Sequence, residues 1–340
     1  MSNAPATLAR KDTRHREMNK FMVIVDKMGI YVIVALLILV GILAAPGKFL
    51  SLSNFRSIMQ AVSLIGICSV GLSFIVYSAN FNDMSLPMTI AFSGMVSVQL
   101  LQFGFWISML GGVLAGLMMG MVNGFVIGKL RAHPIIWSMA FNFVMSGIAR
   151  WAWSGNQIYP DVVAGNDTHT ADLFYSLSRT DVFGVPIMVI VMIVLFCAGQ
   201  FILTRTTFGN QLKIIGSNYQ VGKLSGISTT RTIFFAYLIN AFCAAICGIF
   251  LASISKTAAY YNGEGYDFQC VTAVLLGGMT LAGGKGSLIG VFGGVLTVGM
   301  LSNVMTLIGI STFNQYLVQG LVFLVIVWIN TNSARKLGKS

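Results

Sequence analysis

Two stretches constrain this chain more than anything else: residues 84–128 and 286–334 contain no Asp, Glu, Lys or Arg over 45 and 49 residues. An apolar helix crosses the hydrocarbon of a bilayer in about 20 residues. Each stretch is therefore too long for one crossing and long enough for two. Further uncharged runs cover 28–47, 57–82, 182–204, 232–255 and 268–284, and 132–149 has the same apolar character. Only 9% of the chain is charged and 56% is hydrophobic, against about 25% charged in a soluble domain. The reading is an all-α polytopic membrane protein, a bundle of about ten transmembrane helices.

The formal charge of +11 raises the question of a nucleic-acid partner, which the placement of the charge answers. With one crossing per span and the N-terminus inside, six basic residues precede the first span: Arg10, Lys11, Arg14, Arg16, Lys20 and Lys27. Lys129, Arg131, Arg205, Lys213, Lys223, Arg231, Lys285, Arg335, Lys336 and Lys339 also fall inside. Lys48, Arg56, Arg150, Arg179 and Lys256 fall outside. That bias is the positive-inside rule, which accounts for the charge without nucleic acid and puts both termini in the cytoplasm. The expected organisation is a basic tail at 1–27, a transmembrane domain at 28–331 and a short cytoplasmic tail at 332–340. A basic head followed by one apolar run is also the pattern of a signal peptide. Because the run is a full span long and nine more follow, an uncleaved first helix is the better reading.

Two polar loops interrupt the spans. The outer one, 150–182, opens RWAWSGNQIYPD, whose Trp151, Trp153 and Tyr159 suit an interfacial aromatic belt. Its acids, Asp161, Asp167, Asp172 and Asp181, mark a solvated face, and NDT at 166–168 fits a glycosylation sequon by a short pattern that chance often supplies. The inner loop, 205–231, spaces Leu212, Ile214, Ile215, Val221 and Leu224 among polar residues and glycines. That predicts one or two short amphipathic helices joined by a turn, a hairpin suited to a soluble partner. Elsewhere the spans are rich in Gly, Ser and Ala, as close helix packing in lipid requires.

Catalytic chemistry is hard to build from the rest. His15 and His169 lie in the polar tail and outer loop, and His133 abuts Pro134 at a span end. Cys68, Cys197, Cys243, Cys247 and Cys270 all sit in apolar stretches and read as packing residues rather than metal ligands. The run GGMTLAGGKGS, 277–287, lacks the G-x-x-x-x-G-K-[ST] spacing of a phosphate loop, so ATP is not expected to bind here. Asp83, in YSANFNDMSLPM, is the one acid between Asp26 and Asp161. Ion- and proton-coupled carriers usually keep several charges within their spans. A self-sufficient secondary carrier is thus a poorer fit than a transporter subunit powered by a partner, and an intramembrane enzyme is poorer still.

GEGYDFQCVTAVLLGGMTLAGGKGSLIG, 263–290, resembles the signature segment of the ribose-type sugar permeases of bacterial ABC importers. The matching positions are Gly265, Tyr266, Gly277, Gly278, Gly283, Gly284, Lys285 and Gly286. GSNYQVGKLSGIS is similar to the same family's ATPase-coupling segment, through Asn218, Tyr219, Gln220, Lys223, Leu224, Ser225 and Gly226. LSLSNFRSIMQ, 50–60, resembles its entry to the second span. The resemblance implies a bacterial inner-membrane permease subunit that pairs with a second copy or paralogue. It also implies two cytoplasmic ATP-binding subunits, or a fused pair, that use ATP-Mg, and a periplasmic binding protein that delivers a monosaccharide or similar solute. No cofactor is implied for this chain itself. Arg56, Arg150 and Arg179 become candidates for docking the binding protein. A branched-chain amino-acid or nucleoside ABC permease shares the layout and is the alternative.

The chain departs from the family in two places. Tyr219, Gln220 and Val221 stand where an acidic-Ala-Ala triplet is common. The motif Gly-Ile-Asp-Leu-Ser-Val-Gly aligns with Phe81, Asn82, Asp83, Met84, Ser85, Leu86 and Pro87, so two glycines become Phe81 and Pro87. Asn80, Phe81, Asn82, Asp83 and Ser85 are accordingly the expected polar break between the second and third spans, near the solute path or structural in role. A structural Asp83 would bond backbone groups freed at the break.

Overall fold

The computed structural model describes residues 33–165, 168–182 and 184–336. The basic tail expected at 1–27, the start of the first span, Asn166 and Asp167 of the sequon, and 337–340 of the C-terminal tail lie outside the described residues. The helices are α1 (Ile33–Ala44), α2 (Leu52–Tyr77), α3 (Leu86–Gln99, continued by a 3-10 turn at Leu100–Phe103) and α4 (Phe105–Lys129). Then come α5 (Pro134–Ala152), α6 (Pro160–Ala164), α7 (Thr168–Arg179) and α8 (Ile187–Arg205). The chain ends with α9 (Thr207–Ser217), α10 (Tyr219–Leu224), α11 (Thr229–Ser255), α12 (Tyr266–Leu276), α13 (Leu288–Leu307) and α14 (Thr312–Lys336). The strands, β1 (Asp181–Val182) and β2 (Val185–Pro186), form one small antiparallel hairpin before α8.

Small residues set the centre of the bundle. Gly112, Gly116, Gly120, Gly124 and Gly128 recur every four residues along α4, so they form one ridgeless face. A Cβ on Gly120 would come within 2.4 Å of the Ala241 Cβ and 3.0 Å of the Tyr237 carbonyl. One on Gly124 would meet Phe234, and one on Gly128 the Thr230 carbonyl. α4 and α11 therefore lie backbone against backbone, the device that holds helices together where lipid removes the hydrophobic driving force. The opposite face of α4 carries Leu110, Leu114, Met118 and Phe125, all exposed, as expected of a surface that meets lipid or another chain. Gly71 of α2 approaches Asn240 of α11, and Gly94 of α3 approaches Gly248. α11 is thus enclosed by α2, α3 and α4. Cys68, Cys247 and Cys270 meet from α2, α11 and α12 with free, fully buried thiols.

Among the described residues, Arg56 and Arg179 lie at one end of the bundle and Arg131 at the other. At one end Arg56 donates to Asp181 at 2.9 Å and to the Arg179 carbonyl at 2.8 Å. There Ile158 and Ala258 also form a backbone bridge, and the Ser253 hydroxyl donates to the Phe174 carbonyl at 2.7 Å. At the other end the Gly284 amide donates to the Tyr77 carbonyl at 2.9 Å, and Arg131 donates to Thr229 at 3.1 Å. The outer loop is more than a solvated connection. α6 and α7 fold over the bundle, with Phe174 fully buried. Asp161 accepts from the Tyr175 hydroxyl at 2.8 Å, and burial, followed by that bond, pushes the Tyr175 hydroxyl well up from its ordinary value.

A helix occupies each of the ten segments expected to span, but they are not equal. Among the described residues, six are long and apolar enough to cross: α2, α3 with its 3-10 turn, α4, α8, α11 and α13. α12 has 11 residues, about 17 Å at 1.5 Å per residue, roughly half the hydrocarbon thickness. Residues 256–265 reach its start as irregular chain. α3 is also displaced: it begins beside the middle of α11, where Gly248 faces the Ile90 carbonyl. Gly263 packs on the Pro87 carbonyl, so the starts of α3 and α12 lie close together inside the bundle. Uniform ten-fold crossing is therefore too regular a picture of this fold.

Candidate functional site

The polar break begins where α2 ends at Tyr77. Ala79 and Phe81 adopt φ of 61° and 63°, in the left-handed region that side chains with a Cβ rarely enter. These two residues turn the chain back into the bundle. Phe81 stands where the resembled family has glycine, and its ring is 46% exposed. Pro87 replaces the second glycine at little cost, because it occupies the first turn of α3, where a missing amide proton breaks no helical bond.

Asp83 is 3% exposed. Its Oδ1 accepts from the Ser85 amide at 3.0 Å and the Ser85 hydroxyl at 2.6 Å, and its Oδ2 accepts from Asn240 Nδ2 at 2.9 Å. The Ser85 hydroxyl in turn accepts from Asn123 Nδ2 at 2.7 Å, and Asn123 Oδ1 accepts from Trp137 Nε1 at 3.0 Å. The Met84 amide donates to the Ser138 hydroxyl at 2.9 Å. One chain of hydrogen bonds thus joins α5, α4, the break and α11. The irregular backbone at 83–85 survives here because side chains satisfy its amides. Asn82 Oδ1, Asn240 Oδ1 and the Tyr237 hydroxyl are buried and unpartnered in this structure, so the network has spare capacity for water.

Beside the break lies a cleft of about 490 Å³ between the starts of α3 and α12 and the flanks of α5 and α14. Its lining includes Pro87, Asn142, Glu264, Asp267, Tyr316 and Gln319. Gly265 opens α12 at φ 85°, with Tyr316 against it.

At the end of the bundle that holds Arg131 the signature glycines have a structural reason. Gly283 and Gly284 adopt φ of 76° and 68°, and a Cβ on Gly284 would lie 2.2 Å from the Ser217 hydroxyl. The loop at 277–287 is thereby wedged between the end of α2 and the inner hairpin, while Gly277 gives α12 close access to Val291 of α13. Gly278 and Gly286 also take positive φ, and Lys285 is exposed.

The inner hairpin is α9 and α10 joined at Asn218, whose side chain caps α10 by accepting from the Gln220 and Val221 amides at 3.0 and 3.1 Å. Tyr219 faces inward. Its hydroxyl is 2.8 Å from that of Thr229, and the Arg131 guanidinium lies 4.3 Å from its ring centre. Leu224 is 87% exposed and Val221 is also exposed; Gln220, Lys223, Ser225 and Gly226 lie exposed beside them. Tyr219 therefore anchors the hairpin, and Leu224 and Val221 are what it presents.

The three arginines expected on the outer side are engaged within the chain. Arg56 pairs with Asp181, Arg150 lies 4.4 Å from the Tyr260 ring centre and Arg179 lies 5.6 Å from that of Tyr175. Sequence reasoning missed Asn123, Trp137, Asn142, Asn240, Tyr316 and Gln319. The readable signal was a lone asparagine or glutamine inside an apolar run.

Residues 54–327 match the family described as branched-chain amino acid transport system / permease component. The L-arabinose transport system permease protein AraH of Escherichia coli (strain K12) is 30% identical over 89% of this chain and 89% of its own length. The ribose import permease protein RbsC of Haemophilus influenzae is 28% identical over 86% of this chain and 90% of its own. The L-arabinose ABC transporter permease protein AraH of Azospirillum brasilense is 28% identical over 89% and 87%.

Proposed function

The chain belongs to the permease-component family of branched-chain amino acid transport systems, and from that premise we propose how it works as the membrane permease subunit of an ABC importer. Its solute is a monosaccharide or a similar small polar molecule, as the names of its arabinose and ribose relatives suggest. It pairs with a second permease copy or paralogue in the bacterial inner membrane, with both termini cytoplasmic. Two ATP-binding subunits hydrolyse ATP-Mg below it, and a periplasmic binding protein delivers the solute above. α12 supplies a half-crossing completed by irregular chain, so the ten segments make a discontinuous set of spans.

The observation that carries this reading is the inner hairpin. A solvated connection would bury its apolar residues or lack them, whereas α10 holds Leu224 almost fully in the open on a backbone fixed by Asn218, Tyr219 and Thr229. An exposed leucine on a rigid, short helix suits insertion into a groove on a partner. The hairpin also touches the loop at 277–287 and the end of α2 through Gly216, where a Cβ would meet the Tyr77 carbonyl and the Gly284 amide. Movement of the partner is thus passed to α2, to the break that follows it and to α12. Transport needs no titrating side chain here, only a change in how these elements pack.

Leu224→Glu tests the coupling assignment. Charge at this position is expected to abolish co-purification of the ATP-binding subunits while the permease still inserts and runs as a single species in detergent. Undiminished co-purification would remove α10 as the coupling element. The family description favours a second reading, a branched-chain amino acid as solute. The polar lining of the cleft, with Glu264, Asp267, Asn142 and Gln319, suits a hydroxylated solute better than an aliphatic side chain.

A further inference from the structure

The cleft between α3, α5, α12 and α14 is unusual in what its side chains can and cannot offer. Glu264 and Asp267 contribute carboxyl groups, Tyr316 a phenol, and Asn142 and Gln319 amides, while no Lys, Arg or His lines it among the described residues. Gln319 is 8% exposed. Its Nε2 donates to the Ser302 hydroxyl at 3.2 Å, which leaves its Oε1 buried and without a partner. Asn142 Oδ1 is likewise unpartnered. Both residues line one cavity that also carries two acids, although the two oxygens themselves lie beneath its surface.

We propose that this cleft is a solute-contacting site that selects for hydrogen-bond donors: neutral polyhydroxylated or cationic molecules enter, and anions such as sugar acids are turned away. It rests on the permease reading and adds to it the residues and the charge class. Sugar hydroxyls would donate to the Glu264 and Asp267 carboxylates, while the ring's apolar face has Phe268 and Pro87 beside it. The volume, about 490 Å³, lies within the usual range for small-molecule pockets. An anion would meet two carboxyl groups and no counter-charge, so repulsion and desolvation both oppose it. The start of α12 does not reverse this, because Asp267 lies within its first turn.

The test uses the permease reconstituted with its ATP-binding subunits, carrying Gly320→Cys in a Cys197→Ser background. Gly320 borders the cleft and an added Cβ there meets nothing within 4 Å; Asn142→Cys is a second reporter should the first fail to express. The probes are a trimethylammonium and a sulfonate methanethiosulfonate, each rate being divided by that with free 2-mercaptoethanol. The cation is expected to be favoured by about tenfold or more, the factor that roughly 1.4 kcal/mol of local potential supplies. The ratio should fall towards one in the Glu264→Gln/Asp267→Asn variant, and xylitol should slow both reagents. Equal rates, a preference for the anion, no protection by xylitol, or no reaction with either reagent because another chain fills the cleft would each overturn the proposal. These rates are read without ATP or binding protein. Loss of ATP-driven uptake alongside an intact cation preference would count against the import reading and not against the cleft.

Discussion

Asp83 gives the sharpest way to separate a structural carboxylate from one that carries a proton or an ion. Removing it as Asp83→Ala leaves the Ser85 amide, the Ser85 hydroxyl and Asn240 Nδ2 without their acceptor. The hydroxyl can turn to another acceptor, whereas the amide and Asn240 are fixed by the break and by α11. At about 1–3 kcal/mol for each buried donor left unpaired, the two fixed donors cost about 2–6 kcal/mol. That is a large part of the stability of an ordinary fold and corresponds to a melting shift on the order of 10 °C. Asp83→Asn should behave differently. Its Oδ1 still accepts both bonds from Ser85, and its amide would face Asn240, whose own Oδ1 is unpartnered. Turning the Asn240 amide over restores that bond, so the expected cost is below about 1 kcal/mol. The assay is a fluorescence-detected melt of the purified protein in detergent, followed by uptake in vesicles. Asp83→Ala is expected to melt early, and Asp83→Asn to keep both stability and most uptake. A stable Asp83→Asn that transports nothing would refute it, since only loss of charge or titration separates the two side chains. An Asp83→Ala protein that melts like the parent would refute the magnitude.

Three further expectations can be checked alongside. Gly120→Leu forces side-chain atoms into Ala241 and the Tyr237 backbone and should cost about 1–3 kcal/mol by overpacking, whereas Gly147→Ala, helical and with open space around it, should stabilise by about 0.4–1 kcal/mol. Phe81→Gly removes a left-handed non-glycine residue at φ 63°, a gain of about 1–2 kcal/mol partly offset by about 0.5–1 kcal/mol of added chain entropy. A clear drop in melting temperature would show that the exposed ring has a contact of its own. Arg56→Ala breaks an ion pair that is open to solvent and should shift stability by no more than about 1 kcal/mol, so any large loss of uptake in that variant points to docking of a binding protein.

The helical membrane class was legible in the uncharged runs, because a chain that must stay soluble in water does not go 45 residues without a charge. So was the inner hairpin, whose interspersed Leu212, Ile215 and Leu224 announced amphipathic turns. The depth of the break was not. Hydropathy averages over some twenty residues and counts α3 and α12 as ordinary spans, whereas each starts inside the bundle. The network around Asp83 was equally hidden, since its partner Asn240 lies 157 positions away and Asn123, which bonds Ser85, lies 40 away, and each is a lone polar residue in an apolar run. The glycine row on α4 was visible as composition, but only packing shows that it faces α11. Phe81 and Pro87 looked alike in sequence as bulk in place of glycine; the backbone separates them, because one is strained and the other fits the first turn of a helix.

The central claim is that this chain forms a passage for solute that a partner's ATP hydrolysis drives. Uptake of radiolabelled D-ribose and L-arabinose into proteoliposomes tests it most directly, with the permease reconstituted alone and with its ATP-binding subunits and binding protein. The account predicts accumulation of at least one sugar only when the partners and ATP-Mg are all present, and none from a sodium or proton gradient. Gradient-driven accumulation by this chain alone would contradict it.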